Sequence, residues 1–220
     1  MEEYIIFADN YYLRKNTKAY YTLDYYGREN SMDTQFIRTL KNTFNGETDR
    51  ALNEAMRIAE NYLKQALLEI IEREKLGICT VVAVPRAKAY DTYFPRQLCL
   101  LEAISSATRS FNNIIDGTDY LKRHTNTKTT HLRREIGRVT PQGNIPQDIN
   151  ANDGAAPYCG ITKDTCTIEA KKIIGQTIIL VDDIYTKNCN VDEDCIQLLY
   201  NAGAKKVIFY SFAKTVKRYE

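Results

Sequence analysis

Two adjacent carboxylates, Asp182 and Asp183, follow the apolar run Ile178-Ile179-Leu180-Val181 and precede a polar stretch, Tyr185, Thr186, Lys187, Asn188, Cys189 and Asn190. A short β-branched run with no polar face reads as a strand buried on both sides, which sets the acids at its carboxyl end. Open parallel sheets bind ligands beyond such ends. Adjacent carboxylates need an offset: a cation, hydroxyl groups that donate to them, or solvent. A helix expected to start after Asn190 opens with backbone N–H groups that lack partners, and such a start can take a phosphate. Acids for hydroxyls beside a cradle for a phosphoryl group suit a sugar phosphate. Within the loop, Lys187 adds positive charge and Asn188 tolerates left-handed backbone.

Other reactive side chains are more scattered. Arg86, Ala87 and Lys88 follow a second apolar run, Ile78 to Val84, and Pro85. Residues 122–138 carry Lys122, Arg123, Lys128, Arg133, Arg134 and Arg138 with both histidines, His124 and His131. That segment reads either as a solvated loop or as one that grips an anion. Cys189 at a helix start is a candidate nucleophile, but no histidine is near it in sequence. Cys159 and Cys166 with a histidine fit no familiar zinc spacing.

The pattern of elements is that of an open α/β protein. Residues 4–26, dense in tyrosine, suggest a short antiparallel hairpin or two edge strands. Ser31 is a candidate cap for a helix bearing Phe36, Ile37, Leu40 and Phe44, closed by Gly46. Asp49 opens the longest helical period, through Leu52, Ala55, Ala59, Leu63, Leu67 and Ile70, with Gly77 as its C′ residue. Leu98, Leu101, Ile104 and Thr108 mark another helix, and residues 119–122 a weaker strand. Residues 140–165, rich in Pro, Gly, Asn and Asp, read as an exposed excursion. Asn190 and Glu193 have the spacing of a capping box. Val191, Cys195, Leu198, Leu199 and Ala202 then form a helical face, Gly203 ends it, and residues 207–210 make the next strand. The division expected is 1–77, forming a hood and a cover for the sheet, and 78–220, forming the α/β core.

Composition removes several classes. A chain of 220 residues, 44% hydrophobic and 26% charged, suffices for one core. Thirty basic and 28 acidic side chains leave a net charge of +2, so no overall field argues for nucleic acid, and any anion site must be local. No stretch approaches 18 consecutive apolar residues, which argues against a membrane helix. The start, Met1-Glu2-Glu3, is unlike a signal peptide. A cytoplasmic location follows as the expectation, with six cysteines reduced.

The segment Ile179-Leu180-Val181-Asp182-Asp183-Ile184-Tyr185-Thr186 resembles the signature of type I phosphoribosyltransferases, and the likeness extends towards their competence-protein-F-like branch. Phe36 to Lys41 is similar to that branch's early helix. Val84-Pro85-Arg86 with Phe94-Pro95-Arg96-Gln97-Leu98 looks like its second motif. Tyr120 to Arg123, with Thr127 and Leu132, is similar to its hood segment. The zinc module that often precedes the branch is absent. The resemblance implies an open, mostly parallel sheet flanked by helices, with a tyrosine-rich β/helical hood. It implies phosphoribosyl pyrophosphate or a nucleotide as ligand and transfer of the phosphoribosyl group to or from a nitrogen nucleophile. Asp182 and Asp183 would hold the ribose hydroxyls and Mg²⁺, directly or through water. Tyr185 to Asn190 would hold the 5-phosphate, Arg86, Ala87 and Lys88 the pyrophosphate, and Arg123 would close over it. The loop departs from the family: Thr186-Lys187-Asn188-Cys189-Asn190 lacks the glycine expected where backbone curls round phosphate. That departure supports the alternative of a non-catalytic sensor or partner subunit. A receiver-like protein fits less well, since its acid pair would lie on the first strand. The tyrosine-rich start is a candidate homodimer interface.

Overall fold

The computed structural model describes residues 1–9, 11–27, 32–126, 161, 163–187 and 189–216. Ser31, Thr127, Lys128, His131, Leu132, Arg133, Arg134, Arg138, Cys159 and Asn188 lie outside these residues, as does most of the excursion at 140–165.

The strands are β1 (Glu2–Ile6), β2 (Thr17–Tyr25), β3 (Cys79–Ala83), β4 (Ile114–Asp116), β5 (Leu121–Arg123), β6 (Cys166–Ile168), β7 (Thr177–Tyr185) and β8 (Lys206–Thr215). The helices are α1 (Gln35–Lys41), α2 (Asp49–Glu74), α3 (Cys99–Thr108), α4 (Ala170–Ile173) and α5 (Val191–Asn201). Six strands form one sheet in the order β1-β2-β8-β7-β3-β4, and β5 pairs with β6 separately. All pairings in the large sheet are parallel except β1 with β2. Among the described residues no helix is long and apolar enough to cross a membrane.

Both faces of the sheet are covered. Phe36, Ile37 and Leu40 of α1, the stripe Leu52, Ala59, Leu63, Leu67 and Ile70 of α2, and Ala103 and Ile104 of α3 share one core. Cys195, Ile196 and Leu199 of α5 pack the opposite face with Leu121 and Cys166 of the small sheet. Each large aliphatic side chain buried this way contributes about 1.5–3 kcal/mol. Strand β3 is buried at every position, as its almost wholly apolar sequence requires.

Several local expectations change. The tyrosine-rich hairpin forms and extends the sheet: β2 adds to β8 with Ala19 opposite Phe209. Asn42 (φ 36°), not Gly46, closes α1, and Lys75 (φ 50°), not Gly77, closes α2. Each left-handed residue lets its N–H reach a terminal carbonyl. The short edge strand β4 has too few residues to carry a period and was not expected.

The chain runs from β3 outward to β4 on one side, and from β7 to β8 on the other. Strands β3 and β7 are neighbours, with Ala83 opposite Val181. This is a topological switch point, and a crevice forms beyond the carboxyl ends of such a pair.

Candidate functional site

Asp182 and Asp183 stand at that switch point, one step past the last β3–β7 pair. Successive strand residues face opposite ways. Ile179 and Val181 join the core under α1, α2 and α3, whereas Ile178 and Leu180 join the core under α5. Asp183 continues the first set and Asp182 the second, so the two carboxylates meet different partners.

On the first face, Lys41 Nζ lies 2.9 Å from Asp183 Oδ2. Burial works against the charge on this lysine, yet the Asp183 carboxylate and its hydrogen bond outweigh burial and hold the Lys41 pKa above the usual range. Arg86 is close enough to act on Lys41 in the opposite sense. Hydrogen bonds fix α1 here. Gln97 Nε2 donates to Asn42 O (3.3 Å) and Thr43 O (3.1 Å), Asn42 Nδ2 donates to Arg96 O (3.1 Å), and Arg86 Nη1 donates to Gln97 O. Three separate stretches of sequence, 36–41, 84–98 and 182–183, are thereby bound into one wall of the crevice.

On the second face, Asp182 meets Asp192 in the first turn of α5. Burial leaves both acids above the ordinary carboxyl range, Asp192 furthest; the Asp183 charge adds to the rise at Asp182 while the hydrogen bond from Asp192 works against it, and at Asp192 the Asp182 charge adds to the rise. One proton shared between the two is the physical reading. Asp192 and Glu193 are buried, and Tyr185 Oη donates to Glu193 Oε1 at 2.9 Å. Burial also raises Asp194, to about 6.

Several described residues of the expected phosphate loop have bonds within the protein. Tyr185 is buried and committed to Glu193. Thr186 Oγ1 is 2.7 Å from Thr215 Oγ1. Cys189 N–H donates to Thr186 O (3.1 Å), and Lys187 is exposed. Asn190 is left-handed (φ 60°) and its side chain makes no capping bond, so the capping box with Glu193 does not form. The start of α5 instead carries Asp192, Glu193 and Asp194. Carboxylates satisfy a helix dipole as a phosphate would, and they compete with one.

Arg86 and Lys88 flank Ala87 on the turn after β3 and share a small hollow with Arg123, Lys122, Tyr90 and Tyr93. The hollow measures about 40 Å³, room for a few waters. Arg86 sits over the Tyr93 ring (4.6 Å) and Lys122 over Tyr90 (5.0 Å). Arg123, expected to close over a ligand, is only 3% exposed and donates through Nε to Arg86 O at 2.7 Å. It braces the turn from below. Sequence reasoning did not single out Lys41 or Asp192. The signal for Lys41 was present, since it ends the early-helix segment; Asp192 could be read only as one of three acids opening a helix.

The residues do not fit a protein-held Mg²⁺. Asp183 already has Lys41 as its counter-charge, Asp182 faces away towards Asp192, and among the described residues no three His, Cys, Asp or Glu side chains group to hold a metal ion. Compared with protein-family models and with curated proteins, the chain matches none.

Proposed function

We propose that the crevice at the β3/β7 switch point binds a phosphorylated pentose, phosphoribosyl pyrophosphate or a nucleotide, and transfers the phosphoribosyl group to or from a nitrogen nucleophile. The observation that carries this reading is the convergence of Lys41, Arg86 and Asp183 at the carboxyl end of β7. Asp183, with Lys41 on Oδ2, keeps acceptor capacity for a ribose hydroxyl. Lys41, Arg86 and Lys88 supply positive charge for phosphoryl oxygens. In transfer, the bond from C1 to the pyrophosphate oxygen breaks with its electron pair going to pyrophosphate, and a nitrogen lone pair forms the new bond to C1. Fixed cations beside the leaving group would stabilise the charge that grows there.

A second reading, binding without transfer, is favoured by the loop: Tyr185 and Thr186 spend their hydroxyls on Glu193 and Thr215, and three acids crowd the start of α5. One experiment separates the two. The protein is incubated with phosphoribosyl pyrophosphate and a panel of amines and nucleobases, with pyrophosphate release and equilibrium binding both followed. Release that disappears in Asp183→Asn supports transfer. Binding without release supports the second reading, and no binding at all removes both.

A further inference from the structure

We propose that Lys41 stands where a divalent cation would otherwise offset Asp183, so that this crevice binds its phosphorylated pentose without a metal, an inference that rests on the phosphoribosyl reading above. The ammonium group is 2.9 Å from Asp183 Oδ2, a charge-assisted contact at full strength. It is also preorganised. Lys41 is the last residue of α1, and the next residue, Asn42, is 2% exposed, left-handed, and tied to Arg96 and Gln97. Gln97 O in turn accepts from Arg86. A divalent ion approaching Asp183 would meet repulsion from both Lys41 and Arg86. Mg²⁺ also demands near-octahedral oxygen ligation, and the only other carboxylate of the pair points to the opposite sheet face and is engaged by Asp192. A lysine ammonium is a compact point charge suited to phosphate. It can stay on Asp183 and still present donors to a phosphoryl oxygen, since an ammonium has three.

The test is equilibrium binding of ribose 5-phosphate and of phosphoribosyl pyrophosphate by calorimetry, in Mg²⁺ and in EDTA, to the full chain and to Lys41→Met and Lys41→Arg. The folding of each variant is checked by its thermal transition. Wild-type affinity should agree within about twofold with and without Mg²⁺, Lys41→Arg should keep that independence, and Lys41→Met should lose about tenfold or more in EDTA. With Asp183 unmasked, Lys41→Met should regain part of its affinity when Mg²⁺ is added. Wild-type binding that requires Mg²⁺ would overturn the inference and leave the phosphoribosyl reading intact. Equal affinity of wild type and Lys41→Met in EDTA would likewise overturn the role of Lys41. Absence of binding by the wild type in both conditions would overturn the phosphoribosyl reading itself. The wild-type comparison stands even where Lys41→Met does not fold.

Discussion

Alternation along β7 sends neighbouring aspartates to opposite faces of the sheet, and each finds a different kind of partner. Asp183 meets a fixed ammonium group, whereas Asp182 meets a second buried acid, Asp192. The Asp192 carboxyl is held far above its ordinary range by burial, then by the charge of Asp182. A raised folded-state pKa contributes stability that is fully present below the unfolded value, about 4, and is lost as pH rises towards the folded value. Asp192→Asn keeps an N–H donor for Asp182 and removes that titration. Thermal unfolding should show the variant gaining a few degrees over wild type near about pH 8 and almost nothing near about pH 3. An equal effect at both pH values would mean that Asp192 does not hold the proton.

At the scale of elements, α1 matters because its last residue carries the ammonium group. This helix has only seven residues, too few to be stable alone, so its position depends on packing by Phe36, Ile37 and Leu40 and on its C-terminal cap. Asn42 supplies the cap. Its φ of 36° is disfavoured for a residue with a Cβ, its Oδ1 accepts from Glu47 N–H (3.1 Å), and its Nδ2 donates to Arg96 O (3.1 Å). Asn42→Ala loses both side-chain bonds and tolerates the left-handed backbone less well, a combined cost of about 2–3 kcal/mol. Asn42→Gly loses the bonds but accepts the backbone. Urea unfolding should rank wild type above Gly and Gly above Ala; Ala matching Gly would show that the left-handed backbone adds nothing to the cost.

Across the whole molecule, the two ends of the parallel sheet do different work. The crevice lies at the carboxyl ends, while a charge cluster joins the helical layer to the amino end of β8. There Glu74, the last residue of α2, accepts from Lys206 (2.7 Å) and Tyr20 (2.6 Å) and pairs with Lys18 (2.9 Å). Despite burial, which acts against the charge, the bonds from Lys206, Tyr20 and Lys18 hold its pKa down at about 2. The sign is the reverse of that for Asp192: this stability is present above the unfolded value and disappears as pH falls towards about 2. Both lysines are partly solvent-exposed, so the contribution at neutral pH is about 1–3 kcal/mol after screening. Glu74→Gln should lose that amount in urea unfolding at neutral pH and flatten the acid limb of the stability curve. Ligand binding at the opposite end should not change. An acid limb identical to wild type would show that other carboxylates carry it.

The residues themselves determined the class of fold, because apolar runs such as 79–83 and 178–181 carry no polar face and have to lie between helical layers, and the 3.6-residue stripe of α2 supplies one of those layers. They also determined that a doubled acid ends an interior strand, since this is a matter of neighbours in the chain. Tertiary structure alone decided what those acids touch. Lys41 is more than 140 positions from Asp183, and only the docking of α1 brings the pair together; Asp192 reaches Asp182 only because α5 folds back over β7. The Asn190–Glu193 spacing suited a capping box, yet Tyr185 captured Glu193 first. The tyrosines of β2 suited any half-buried strand, and β8 took them into the sheet. Spacing along a chain constrains local partners, whereas charge balance in a crevice is set by whichever distant groups the packing delivers.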